Sequence, residues 1–79
     1  MAIVNFYAST RAATGVSKKV IIGVSLGEVI DNAILEFPEL KSIILRCSFL
    51  VNQIASNNLA MDISDEDVID ILPQFAGGA

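Results

Sequence analysis

Residues 25–37 read SLGEVIDNAILEF, and their spacing decides the fold. Leu26, Val29, Ile30, Ala33, Ile34 and Phe37 recur three and four positions apart, so on an α-helix they form one continuous apolar stripe. Ser25 and Glu28 have the spacing of a capping box, in which each side chain satisfies a backbone N–H at the helix start. Pro38 stops the helix, because the residue before a proline is pushed out of helical geometry. A helix with one apolar stripe must bury it against something, and the flanking segments are rich in strand signals.

Upstream, residues 2–8 (AIVNFYA) read as a strand with Val4, Phe6 and Ala8 on one face and Ile3, Asn5 and Tyr7 on the other. Ser9 is expected to cap a short helix, STRAAT, which Gly15 ends by supplying a left-handed conformation. Residues 17–22 (SKKVII) form a second strand, ended by Gly23. Downstream, residues 39–45 give a further helical turn and residues 47–51 (CSFLV) a strand. Residues 52–58 (NQIASNN) are polar turn material with one apolar interruption. Residues 59–61 are expected to add a short edge strand, and residues 64–67 (SDED) an acidic turn. Residues 68–72 (VIDIL) make the last strand, with Ile69 and Ile71 on one face and Val68, Asp70 and Leu72 on the other. One helix across one face of a small mixed sheet, with the first and last strands as central neighbours, is an α+β β-grasp, the ubiquitin fold. The expected organisation is a β-grasp domain over residues 1–73 and a flexible tail over residues 74–79 that carries a diglycine.

Seventy-nine residues make one domain. The chain is 53% hydrophobic and 18% charged, enough apolar surface for a packed core. No apolar run approaches the roughly 20 residues of a membrane span. The start, MAIVNFYA, has no basic region before its apolar stretch, so no signal peptide is expected and a cytoplasmic location is. A net charge of −4 argues against nucleic acid and anionic membranes, which bind through Lys and Arg. A charged partner would present a basic surface. The chain has no histidine and one cysteine, which removes most metal sites and Ser-His or Cys-His nucleophilic sites. Cys47 lies in the apolar stretch RCSFLV and reads as a buried small hydrophobe. Asp65, Glu66 and Asp67 fall on a turn and read as a solvated acidic surface, not an acid/base pair. Chemistry on this chain is therefore done by others.

The place for it is the ending LPQFAGGA, residues 72–79. Glycine has no Cβ, so a tail through Gly77 and Gly78 can enter a narrow channel. A terminal glycine carboxylate is unhindered at its α-carbon, which suits activation by ATP to an acyl-adenylate and transfer to a sulfur nucleophile. That chemistry needs no acid, base or metal from the carrier. A protein modifier joined through its diglycine to a target lysine would use the same ending.

These residues resemble the small subunit of molybdopterin synthase, a ubiquitin-like sulfur carrier related to the carrier of thiamine thiazole synthesis. The opening VNFYASTRAATG, residues 4–15, is similar to that family's F-A-x-x-R-x-x-x-G segment. FPEL (37–40) and LVNQ (50–53) match its mid-chain landmarks. ISDEDVIDILPQFAGG, residues 63–78, aligns without gaps to its ending, L-T-D-G-D-E-V-A, two hydrophobics, P-P-V-x-G-G. Arg11 and Gly15 favour the molybdopterin branch.

The resemblance implies that Gly78 is adenylated by an E1-like adenylyltransferase/sulfurtransferase using ATP, then converted to a thiocarboxylate. Gly77 supplies the slim approach. The sulfur would build the dithiolene of molybdopterin in the large subunit, in a complex of two small and two large subunits. No bound cofactor or metal is implied. Tyr7, Leu72 and Phe75 are the expected apolar partner contacts, and Arg11 an anchor for the helix-turn or the tail. Carriers for thiamine or cysteine synthesis and a ubiquitin-like modifier or interaction module are the alternatives.

Three departures from the family pattern matter most. Glu66 stands where the family turn has glycine, Gln74 where it has a second proline, and Ala79 follows the diglycine. With Ala79 present no thiocarboxylate can form on Gly78. Four accounts stand open: a trimming protease, a residue added by cloning, direct use of alanine by the activating enzyme, and a paralogue that no longer carries sulfur. Trimming is favoured.

Overall fold

The computed structural model describes residues 1–73. Gln74, Phe75, Gly77, Gly78 and Ala79, and with them the expected tail, lie outside the described residues.

The chain runs β1 (Ala2–Phe6), α1 (Ser9–Thr14), β2 (Lys18–Ile21), α2 (Leu26–Glu36), two 3-10 turns (Pro38–Ser42 and Ile44–Arg46), β3 (Cys47–Val51), β4 (Ile54–Ala55) and β5 (Val68–Pro73). The five strands form one mixed sheet in the order β2-β1-β5-β3-β4. β1 and β5 pair in parallel at its centre, with Val4 opposite Ile69 and Phe6 opposite Ile71. β2 and β3 flank them antiparallel. This is the β-grasp arrangement, with α2 across one face.

The core lies between that face and the helix. Ala2, Val4, Phe6, Ile69 and Ile71 from the sheet meet Leu26, Val29, Ile30 and Ala33 from α2. Each large aliphatic side chain buried there contributes about 1.5–3 kcal/mol. Ile34 and Phe37, at the far end of the stripe, are only partly buried. The Phe37 ring still meets Phe6 edge to face, with centroids 5.8 Å apart. Gly23 permits the close seat of the helix start, since a Cβ there would lie 2.6 Å from a Val29 methyl and 2.8 Å from its backbone N.

The Ser25 hydroxyl accepts from the Glu28 N–H at 3.2 Å, which is half of the capping box. The reciprocal bond shifts by one residue: Glu28 Oε1 accepts from the Val24 N–H at 3.3 Å. Residues 59–61, expected as an edge strand, are not one. Their carbonyls are used by the start of α2, where Leu26 N–H donates to Met61 (2.9 Å) and Gly27 N–H to Leu59 (2.9 Å). These are donors that a helix start leaves without intrahelical partners. The fourth strand falls instead at Ile54 and Ala55, inside the stretch expected as turn, and pairs with Val51 and Leu50. Ser9 is also not the cap of α1. Ala8 takes that position without a side-chain cap, while Gly15 ends the helix at φ 78° as expected.

The β3–β4 turn is Asn52-Gln53, with φ of 50° and 69°. Two consecutive left-handed residues make a type I′ hairpin turn, in which Asn is at home and Gln is not. Asn52 also clamps the acidic turn. Its Nδ2 donates to Asp67 Oδ1 at 2.9 Å and its Oδ1 accepts from the Val68 N–H at 2.9 Å. Asp67 Oδ2 accepts from the Ser64 N–H at 2.8 Å. Glu66 is not among the positive-φ residues, so the turn does without the family's glycine and is held by side chains instead.

Gln53→Gly removes the left-handed cost of about 1–2 kcal/mol and adds part of it back as glycine's chain entropy. Thermal melts should therefore show a net gain of roughly 0.5 kcal/mol, whereas Asn52→Gly should lower stability by about 1–3 kcal/mol through the lost clamp. The Asp67 carboxyl is held below its usual range, first by the Ser64 N–H and then by Asn52. Its stabilisation is present above the unfolded carboxyl value of about 3.9 and is lost as pH falls through the lower folded value. Urea titrations between neutral pH and pH about 3 should show Asp67→Asn less stable at neutrality, with the gap to wild type closing on acidification.

Candidate functional site

Because β1 and β5 run in parallel, both leave the sheet at the same rim. β5 ends at Pro73, opposite Cys47, and carries the chain towards its C-terminal residues from the middle of the sheet. The segment after β1 folds over that rim. Ala8 (φ 50°, ψ −118°) is the first central residue of a turn closed by Thr10 N–H donating to the Tyr7 carbonyl at 3.0 Å. This type II′ geometry suits glycine, so alanine holds it under strain of about 1–3 kcal/mol.

That turn delivers Thr10, the buried polar residue of the core. Its hydroxyl accepts from the Tyr7 N–H at 2.8 Å and lies 2.8 Å from the Tyr7 carbonyl and 3.2 Å from the Ile71 carbonyl. One side chain thus ties the β1 end to the β5 end just before the chain exits. The sequence reading missed Thr10; its signal was a hydroxyl one position past the assumed cap.

The rim gathers three of the expected contact residues. Tyr7 follows β1, Leu72 lies opposite Ser48 on β5, and both are half-buried. The Tyr7 hydroxyl donates to Asp70 Oδ1 at 3.2 Å. Burial and then the Asp70 carboxylate raise the Tyr7 phenol pKa, against a smaller opposing pull from Arg11. Arg11 Nε reaches the Phe6 carbonyl at 3.5 Å, a long bond, and the Arg11 carbonyl accepts the Gly15 N–H that closes α1. Arg11 makes no ion pair among the described residues. Phe75, Gly77 and Gly78 fall outside the described residues.

Cys47 is half-buried, with Sγ 3.3 Å from the Ile43 carbonyl, and burial pushes its thiol up, away from a nucleophile's range. Among the described residues no three His, Cys, Asp or Glu side chains come together to hold a metal. No described helix is long and apolar enough to cross a membrane. An open groove of about 810 Å³ lies between α2 and β3, lined by Ile30, Ile34, Phe49 and Leu59 among others. Cys47 and Ser48 carry it to the rim where β5 ends, and Asp31 is the one charged residue among the described ones that line it.

The described residues thus place the end of β5, the strained Tyr7–Ala8 turn and the open face of the sheet side by side. The ThiS family model matches residues 4–78, and the chain belongs to this family of ubiquitin-like sulfur carriers. Among solved structures, it is similar to small archaeal modifier protein 1 from Methanosarcina acetivorans at 23% identity and a TM-score of 0.88, over 98% of this chain and 95% of that one. It is similar to the Amycolatopsis orientalis BexX/CysO complex at 24% identity and 0.82, over 99% and 100%. The complex of subunits 1 and 2 of molybdopterin-converting factor from Helicobacter pylori matches at 26% identity and 0.73, over 98% and 97%. No curated protein sequence matches the chain.

Replacing Thr10 by valine keeps the shape and orphans the Ile71 carbonyl and the Tyr7 N–H. The expected loss is about 1–3 kcal/mol by denaturant unfolding. Amide exchange should quicken at the end of β5 more than in β3 if the hydroxyl is what holds the exit.

Proposed function

We propose that this chain is the sulfur-carrier small subunit of a molybdopterin synthase, not itself an enzyme, with Gly78 as the residue that carries sulfur once Ala79 is removed. The observation that supports this best is the family match, which runs through Gly78 and leaves Ala79 just beyond it. The Gly78 carboxylate attacks the α-phosphorus of ATP on an E1-like adenylyltransferase/sulfurtransferase, and pyrophosphate leaves. Hydrosulfide, HS⁻, then displaces AMP from the acyl carbon and loses its proton, giving the thiocarboxylate. Gly77 and Gly78 let the end pass a narrow entry, and Phe75, Leu72, Tyr7 and Arg11 are the residues a partner would grip. The large subunit, in a heterotetramer with this chain, receives the sulfur for the dithiolene of molybdopterin. The pairing of subunits in the Helicobacter pylori relative supports this choice of partner.

A second reading has the same activation and a different acceptor, in cysteine or thiamine synthesis or on a target lysine. It is favoured by the likeness to small archaeal modifier protein 1 and to the BexX/CysO complex. The deciding experiment is the intact mass of untagged protein from its own cell, followed by incubation of the loaded form with the large subunit and its cyclic pyranopterin precursor. Loss of Ala79, one oxygen exchanged for sulfur, and dithiolene formation are the expected results. A chain that keeps Ala79 and never gains sulfur overturns the carrier reading. Sulfur loading with no dithiolene, or a covalent adduct to other proteins, moves it to the second.

A further inference from the structure

The open face of the sheet carries a charge where a strand least tolerates one. Asp70 sits on β5, the central strand, between Val68 and Leu72. Its cross-strand neighbours are Asn5 on β1 and Leu50 on β3. Aspartate is among the poorest residues for a central strand, and here apolar side chains adjoin it on three sides. Two donors fix its orientation: Asn5 Nδ2 at 2.9 Å and the Tyr7 hydroxyl at 3.2 Å, both on Oδ1. Oδ2 accepts no hydrogen bond from the described residues, and the carboxylate forms no ion pair among them. Lys18, opposite Asn5 on β2, forms none either, and Arg11 is engaged with the Phe6 carbonyl. The sequence thus bears the cost of a central-strand carboxylate and leaves one aimed oxygen unused.

We infer that Asp70 is the anchor of the docking face and takes an arginine guanidinium from a protein partner whose surrounding surface is apolar. A planar guanidinium can donate to Oδ2 while its face lies against the Tyr7 ring, which a lysine ammonium matches less well. A divalent cation is a poor fit, because it needs several oxygen ligands and Asp70 has no neighbouring carboxylate on the face. Val68, Leu72 and Leu50 then exclude water around the pair, the setting in which a charge pair gains most. The inference rests on the carrier reading only for who the partner is.

The test separates the two. Wild-type protein and D70N are titrated with Nα-acetyl-arginine methylamide and followed by amide chemical shifts. D70N keeps an oxygen for Asn5 and Tyr7, and D70S serves as a second variant should the first not fold. Saturable shifts confined to Tyr7, Leu50, Asp70 and Leu72, lost in the variant and weaker with the lysine analogue, are expected. Shifts that centre on the acidic turn at residues 65–67, that persist in the variant, or that never saturate overturn the anchor. In parallel, binding to the molybdopterin synthase large subunit from the same cell should weaken about 30-fold or more in D70N. Equal affinity of wild type and variant overturns the anchor. A wild-type chain that ignores the large subunit rejects the molybdopterin reading, while the arginine titration still decides the anchor.

Discussion

The parallel pairing of β1 with β5 is the constraint on which the rest depends. It joins segments 65 residues apart, so its closure entropy must be met before any reward arrives. What offsets that cost is the packing of Val4, Phe6, Ile69 and Ile71, all without exposed surface, under α2. Once the two strands are neighbours, β2 and β3 can only add to the outside, and the helix between them must cross one face. The same pairing fixes where function can be. Parallel strands leave by one rim, so the chain's exit and the Tyr7–Ala8 turn meet there, and the unoccupied face of the sheet lies beside both.

Polar side chains do at the edges what apolar ones do in the core. Thr10 joins the ends of the two central strands through backbone groups that would otherwise lie buried and unmet. Asn52 and Asp67 do the same at the opposite rim, where the hairpin turn and the acidic turn bond to each other. Both ties come at a backbone cost, positive φ at Ala8 on one rim and at Asn52 and Gln53 on the other. The strained non-glycine backbone thus lies at the two rims, where those ties are made.

Much of this was legible before any coordinates. The periodicity of α2, its cap at Ser25, the limits of β3 and the alternation in VIDIL follow from side-chain spacing, and spacing is what a sequence records directly. The failures share one cause. Ile54 lies alone among polar residues, and Leu59 and Met61 look like strand residues, yet the unmet donors of α2 drew the second pair's carbonyls to the helix start. That demand is tertiary and leaves no local pattern. Ser9 lost the cap to the strained Ala8 turn for a similar reason: what the rim needed was Thr10 under β5, and the turn that puts it there displaces Ser9. At the rim, Tyr7 and Leu72 were expected as apolar partner contacts and Arg11 as an anchor, while Thr10 and Asp70 were not singled out. Asp70 had a visible signal, a charge in the middle of the most strand-prone run of the chain, but its significance needed the knowledge that β5 is central.

A small sulfur carrier must be distinguished from its relatives by something other than its fold. Relatives of this fold superpose over nearly their whole length at identities of 23–26%. Discrimination among partners then falls to the side chains that a partner would meet on the surface. On such a face, apolar residues supply affinity that many partners can share, because apolar contact is non-directional. A fixed carboxylate is directional, and a partner that cannot pair with it is left with a desolvated charge. Selectivity in a fold this small is therefore best placed on a single oriented polar group, and the position that satisfies this is on the central strand, next to the exit.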